Sequence, residues 1–280
     1  MNRLRKLYYA VPPVFRRVLR RIWYLPVDLV GAIAGKRDPM TPPRGRIFIG
    51  SGDFRKTGEE ILDQLIELGD LQPQHRVLDV GCGIGRVALP LTGYLNEKGS
   101  YEGFDIVRPG IRWCKRKITS RYPNFRFRHI DLRNDLYNLS TGRQARDFIF
   151  PYADHDFDMV ILTSVFTHMV LSDTDHYLAQ VNRVLKPGGV CFATFFLMND
   201  RARDILKQSG KEIFATKLEH YYLFHPRVKE ANVAYDETYL TGKMIEPKGF
   251  SMEQVHYGFW SGRPKTALNN FQDICIFRKI

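Results

Sequence analysis

The 280-residue chain has only four cysteines, Cys82, Cys114, Cys191 and Cys275. Each lies alone in an apolar segment, with no C-x-x-C pair and no neighbouring histidine cluster, which excludes a metal site readable from spacing. They read as buried thiols of a reducing, cytoplasmic compartment. Long apolar runs are missing too. The longest near the N-terminus, residues 22–34, is broken by Pro26 and Asp28 and is too short to cross a bilayer. Basic residues run through and past it without a small-residue cleavage site, so no secretory signal is expected. Repeats and low-complexity tracts are absent. Acidic residues are scarce at one end: residues 1–46 hold eleven Arg/Lys against two Asp, which accounts for +9 of the net +12. The rest of the chain is close to neutral, so a nucleic-acid role for the whole is disfavoured and the basic character belongs to an appendage.

That appendage alternates in pairs: Val14-Phe15, Arg16-Arg17, Val18-Leu19, Arg20-Arg21, Ile22-Trp23. At helical spacing the apolar members share one face and the arginines the other. Pro12 and Pro13 suit the first turn, and Pro26 should end the helix. Two readings stand: a helix packed on the core by its apolar stripe, or a helix over residues 12–25 in a membrane interface. In the second, the arginines meet anionic headgroups and Trp23 and Tyr24 lie at the polar boundary, giving a protein peripheral at the inner membrane face.

Residues 38–52 read as a Pro/Gly linker and Thr57–Gly69 as a helix. A regular alternation follows: strands at Arg76–Val80, Tyr101–Asp105, Phe125–Ile130, Phe157–Leu162 and Val190–Leu197, with helices at Arg86–Leu95, Gly110–Ser120 and from Ser172 or Asp173 to Leu185. This spacing predicts an α/β fold with a doubly wound, mostly parallel sheet. Ala234–Glu246 is compatible with a helix. The closing strands, Glu253–Phe259 and Phe271–Arg278, have no helix between them, so the sheet should finish with an antiparallel strand. Residues 200–233 break the alternation and read as a cap inserted after the fifth strand. The expected division is an appendage over 1–46 and one domain over 47–280.

Between the first strand and its helix lies Asp79-Val80-Gly81-Cys82-Gly83-Ile84-Gly85-Arg86. A nucleoside-triphosphate loop needs Gly-Lys-Ser/Thr here, and Arg86-Val87 does not supply it. A nicotinamide-dinucleotide loop wants a last glycine where Arg86 stands, which weakens that reading without excluding an oxidoreductase. Asp79 weighs against any diphosphate, because it brings like charge to the mouth of the loop; an ammonium or sulfonium would be favoured there. Asp105, ending the second strand, suits a ribose diol. Asp131, after the third, suits an exocyclic adenine amine. The three carboxylates should meet at the strands' C-terminal edge.

A cationic amino-acid head, a ribose and an adenine make S-adenosylmethionine, and the chain resembles the class I methyltransferase family. The resemblance is carried by Val77–Gly85, Gly103-Phe104-Asp105, Ile130-Asp131, Phe157-Asp158-Met159-Val160 and Arg183–Gly189, and covers about residues 57 to 280. It implies seven strands with the last antiparallel, S-adenosylmethionine as cofactor, and contacts to it from Asp79, Gly81, Cys82, Gly83, Gly85, Asp105, Ile106, Asp131, Leu132, Thr163 and Phe166. The segment Thr163–Met169, after the fourth strand, would face the transferable methyl group. It lacks the Asn/Asp-Pro-Pro-Tyr/Phe of amino-nucleobase methylation, so a small-molecule hydroxyl or carboxyl is the expected acceptor, with a lipid or lipid-linked sugar as a candidate carrier.

His168 is the candidate general base, with packing at the sheet edge as the alternative. His220, His225 and His256, with Tyr221, Tyr257 and Trp260, could roof the acceptor pocket, whereas His155 and His176 read as exposed. Gly50–Arg55 resembles a segment that closes over the cofactor in a bacterial subgroup; Phe54 and Arg55 form either a lid or a plain turn. Beside transferase activity, a cofactor-binding module without chemistry, docked to a partner through the N-terminal helix, remains open.

Overall fold

The computed structural model describes residues 11–35, 38–50, 52–266 and 269–280. Seven strands form the main sheet: β1 (Arg76–Val80), β2 (Ser100–Asp105), β3 (Phe125–His129), β4 (Phe157–Leu162), β5 (Leu185–Phe195), β10 (Phe250–His256) and β11 (Asp273–Lys279). Their order is β10-β11-β5-β4-β1-β2-β3, with β11 antiparallel to both its neighbours and the other pairs parallel. The expected α/β architecture is therefore present. β1 shows why the sheet sits between two layers: Leu78 and Val80 enter one core and Val77 the other, so alternate side chains are buried on opposite faces. Helix α5 (Leu171–Val184) covers the first face. Helices α2 (Phe54–Glu67), α3 (Ala88–Tyr94) and α4 (Arg108–Cys114) cover the second. All four cysteines are buried free thiols.

Three expectations change. The strand expected to run to Leu197 ends at Phe195, and β6 (Leu197–Met198) starts a second sheet. That sheet, ordered β6-β9-β8-β7, adds β7 (Thr216–Lys217), β8 (Tyr221–Leu223) and β9 (Val233–Asp236). With α6 (Asp200–Gln208) it forms a cap with its own apolar cluster around Phe196, Phe214 and Trp260. The cap thus extends past 233, and the helix expected from Ala234 begins only at Glu237.

The N-terminal helix α1 (Pro13–Ile33) runs through Pro26 instead of stopping there. A proline removes one backbone donor, but here the turn beyond it is fastened from outside: the Asp28 carboxylate accepts from the Arg44 and Gly45 amides at 2.8 and 3.0 Å. Its polarity is also the reverse of the core-packed reading, and its first arginines do not sit where the interface reading puts them. Arg16 and Arg17 point inward and donate to the Leu136 and Tyr137 carbonyls at 2.7 and 3.1 Å, while the apolar face is exposed. Neither a core-facing apolar stripe nor arginines turned to headgroups describes it. Among the described residues no helix is long and apolar enough to cross a membrane; Arg3, Arg5, Lys6, Lys36 and Arg37 lie outside those residues.

Candidate active site

The C-terminal ends of β1, β2, β4 and β5 open into one cavity of about 880 Å³. Its floor is the edge where strand ends give way to loops, here Asp79–Cys82, Phe104–Val107, Thr163–Val165 and Thr194. The cap contributes Ile213, Phe214, Phe224 and Asn232 from above, and the segment before β11 contributes Asn270, Phe271 and Gln272.

Asp79 is 1% exposed. Its Oδ2 accepts the Tyr101 hydroxyl at 2.5 Å, and its Oδ1 has no partner. Burial, with the nearby Asp105 charge adding to it, pushes its pKa up to about 7. Such a carboxylate is under-satisfied and gains most from a cation. Asp105 is buried as well. Its Oδ2 accepts from the Gly83 amide at 2.9 Å and its Oδ1 from the Val107 amide at 2.6 Å. Each oxygen keeps a second lone pair for a hydroxyl. Burial raises the Asp105 pKa against these two bonds.

The glycines divide by task. Gly81 sits at φ 74°, and a Cβ there would lie 2.6 Å from Val165 Cγ2, so both backbone and space require glycine. Gly83 lends its amide to Asp105. Gly85 is not a cavity residue: a Cβ there would strike Ile118 and Cys114 in the layer behind, so it serves packing.

Asp79, Gly81, Cys82, Asp105, Ile106, Leu132, Thr163 and His168 come together in the cavity lining. Gly83, Asp131 and Phe166 do not. Asp131 is exposed and accepts from Asn138 Nδ2 at 2.9 Å, because the chain leaving β3 turns the next side chain, Leu132, inward instead. Phe166 is fully buried beneath the site, stacked on Phe195. Of the residues expected to roof the acceptor, Trp260 lines the cavity; His220, His225, His256, Tyr221 and Tyr257 do not. His155 is exposed, whereas His176 is half-buried and bonded to the Phe148 carbonyl. Phe54 and Arg55 form no lid: Phe54 is in the core at the start of α2, and Arg55 pairs with Asp38. Phe48, Ile49 and Gly50, just upstream, line the cavity in their place. Ser51 of that segment lies outside the described residues.

His168 Nδ1 lies 3.0 Å from the Glu230 carbonyl. Donation there leaves Nε2 as the ring's basic atom. Burial lowers the His168 pKa, opposed by the backbone at Glu230 and Ala231, which keeps the ring neutral near pH 7. Its position is fixed by the turn 134–138: the Tyr137 ring meets it edge-on at 5.5 Å, and Asn134 Nδ2 donates to its carbonyl.

Several cavity residues had no sequence signal. Glu230, from the cap, brings a carboxyl whose Oε2 accepts from the Asp135 amide and whose pKa burial pushes up to about 8. Ser164 holds φ 59°, a strained value for serine, and its hydroxyl donates to Gln272 Oε1 at 2.9 Å. Thr194 donates to the same oxygen at 2.7 Å while accepting from the Ser164 amide. Arg86, whose Nε is buried without a partner, faces the cavity near Asp79. Among the described residues no group of three His, Cys, Asp or Glu is placed to hold a metal ion.

A family described as "Methyltransferase domain" matches residues 77–189. The methyltransferase GfsG of Streptomyces halstedii is 29% identical over 198 residues, 69% of this chain and 65% of that protein. The phthiotriol/phenolphthiotriol dimycocerosates methyltransferase 1 of Mycobacterium ulcerans is 35% identical over 119 residues, 42% of this chain and 36% of that protein. The chain thus spans less than two thirds of the length of these curated relatives. A solved S-adenosylmethionine-dependent methyltransferase from Methanosarcina mazei shares the fold, with a TM-score of 0.51, 21% identity, and coverage of 77% of this chain and 97% of that one. Residues 77–189, which hold most of the sheet together with Asp79 and Asp105, are thus similar to a methyltransferase domain.

Proposed function

We propose that the protein transfers a methyl group from S-adenosylmethionine to a hydroxyl or carboxyl oxygen of a small, largely apolar molecule, with His168 as the proton acceptor. The donor set fits that cofactor. Asp79 offers an unpartnered buried oxygen to its ammonium, Arg86 an unpartnered buried N–H to its carboxylate, and Asp105 two lone pairs to its ribose. Leu132 and Ile106 supply apolar walls for its adenine. When bound, S-adenosylmethionine supplies an electrophilic methyl group whose sulfur departs as a neutral thioether.

The chain's own part is alignment and proton removal. His168 Nε2 takes the acceptor's hydroxyl proton, and the Glu230 carbonyl, holding Nδ1–H, steadies the resulting imidazolium. The Ser164–Thr194–Gln272 chain leaves one N–H of the Gln272 amide, the other reaching Thr167 Oγ1 at 3.4 Å, to orient a polar group of the acceptor. Phe196, Phe214, Phe224, Trp260 and Phe271 exclude water from the remainder. The Mycobacterium ulcerans relative is named for action on phthiotriol and phenolphthiotriol dimycocerosates, which supports a small-molecule acceptor. A lipid or lipid-linked acceptor goes with a cytoplasmic enzyme peripheral at the inner membrane face.

The observation that carries this reading is a neutral His168, held at Nδ1, in the wall of a largely apolar cavity that also contains Asp79 and Asp105. Its test is incubation with S-adenosylmethionine labelled in the methyl group, over a panel of apolar alcohols and acids, with base hydrolysis separating ethers from esters. Label on an oxygen of the acceptor, lost in His168→Ala while the cofactor still binds, is expected. Label on carbon or nitrogen, or an undiminished rate in His168→Ala, would overturn it.

A further inference from the structure

The amphipathic helix α1 is mounted with its polarity inverted. Its inner stripe is Arg16, Arg17, Arg20, Tyr24 and Asp28, all half-buried. Its outer face carries eleven large apolar side chains from Val14 to Ile33, with Trp23 80% exposed, out of the sixteen such exposed residues in the described structure. An apolar surface of this size on a helix of roughly 30 Å needs a cover.

The ground beside it identifies the cover. Between Asp105 and Asp131 the sequence holds eight Arg/Lys and no acidic residue, a local patch that the near-neutral sum over the domain conceals. Arg46, Arg116 and Lys117 all lie within 5.8 Å of the Trp113 ring. Arg44 and Gly45, immediately before Arg46, are held by Asp28 of α1, and a Cβ on Gly45 would lie 3.1 Å from Arg21 Cα. The appendage therefore joins the apolar face to a basic surface on α4 and the turn after it. Apolar side chains flanked by arginines and lysines match a bilayer bearing anionic headgroups. Two copies meeting through this face would bring the basic patches toward each other.

We infer that the outer face of α1 and the basic surface around Trp113 form one docking surface for an anionic lipid bilayer, the apolar residues entering its interface and the cations facing its headgroups. The inward arginines then have a purpose. Arg16 and Arg17 grip the carbonyls of Leu136 and Tyr137, the turn whose Asn134 and Tyr137 seat His168. Docking thus brings the cavity to the membrane. This inference stands on α1 and the patch alone and does not depend on the acceptor being oxygen.

The test is co-sedimentation of the full chain with phosphatidylcholine vesicles, alone or with roughly one part in three phosphatidylglycerol, at low and at high salt. Binding is expected to the anionic vesicles only and to weaken with salt. Leu19→Glu/Ile22→Glu should abolish it, and Arg112→Gln/Arg116→Gln/Lys117→Gln should weaken it about 100-fold, from about tenfold or less per basic residue. An unchanged melting temperature and an unchanged shift on adding S-adenosylmethionine would establish that each variant is folded. Wild-type protein left in the supernatant with anionic vesicles would overturn the inference. So would either variant binding like the wild type, or analytical ultracentrifugation showing a dimer that Leu19→Glu/Ile22→Glu disperses.

Discussion

Replacing Asp79 by Asn should move stability and cofactor affinity in opposite directions. Buried as it is, Asp79 titrates near 7 in the folded chain against an ordinary 3.8. Below pH 4 the group is protonated in both folded and unfolded chains and costs nothing. Between pH 4 and 7 the unfolded chain gives up the proton and the folded chain keeps it, so stability falls with rising pH; above 7 the loss is complete. Three pH units at about 1.4 kcal/mol each put the full loss at about 4 kcal/mol. Asn removes that cost but also trades the charge-assisted Tyr101 bond for a neutral one, worth about 1 kcal/mol less. A net gain of about 2 to 3 kcal/mol at pH 8 corresponds to a melting temperature higher by about 5 to 10 °C, dwindling toward pH 5. The same change removes the anion proposed to pair with the cofactor's ammonium, and affinity should drop by about 10- to 150-fold, from about 1.5 to 3 kcal/mol for a charged hydrogen bond. In the wild type, binding must expel the proton, so affinity should weaken about tenfold per pH unit below 7. Calorimetry in buffers of differing ionisation enthalpy measures that proton, and thermal melts measure the stability. A variant that melts lower at pH 8 yet binds as tightly, or wild-type affinity flat from pH 5.5 to 8.5, would refute the reasoning.

Gly81→Ala forces a side chain into the left-handed region and against Val165, so a melting temperature lower by several degrees is expected, from about 1–2 kcal/mol of backbone strain plus the contact; Val165→Ala in the same chain should restore the contact part only. Glu230→Gln keeps an acceptor for the Asp135 amide but removes an acid that titrates near 8, so rate profiles should lose an inflection there while cofactor affinity, read by calorimetry, stays unchanged. Asp273 ties the cap to the sheet: it accepts from the Leu197 and Gly258 amides and the Trp260 indole at 2.6 to 2.7 Å. Asp273→Ala strands three buried donors, at about 1–3 kcal/mol each, and should expose the cap to limited proteolysis and raise the acceptor KM more than the cofactor Kd.

The main sheet was legible where its residues are buried on both faces. β1 and β4 fall at the expected boundaries, because Val77–Val80 and Phe157–Leu162 are apolar on both sides but for Asp79 and Asp158, unlike a surface helix. The cap sheet was not legible. Its strands run two to four residues, too short to show a period, and β9 lies in a stretch whose apolar residues also fit a helix. For α1, periodicity revealed two faces and said nothing about which one turns inward. That was decided by the carbonyls of Leu136 and Tyr137, more than a hundred residues away in sequence.

The same division runs through the cavity. Its cofactor half comes from contiguous motifs, so Asp79 and Asp105 could be placed from the strand ends they follow, whereas Asp131 misled because leaving a strand also ends its alternation. The acceptor half is assembled from β4, β5, the cap and the segment before β11, pieces far apart in the sequence. Glu230 illustrates the cost to sequence reading. In the chain it is one charged residue among polar neighbours, and only its burial against Asp135 and His168 gives it a raised pKa and a place in the site. Recognition of the cofactor is therefore local and written in order along the chain. On the proposed function, recognition of the acceptor depends on how the cap seats on the sheet, and Asp273, which holds that seat, is expected to change acceptor selectivity without disturbing the cofactor's binding.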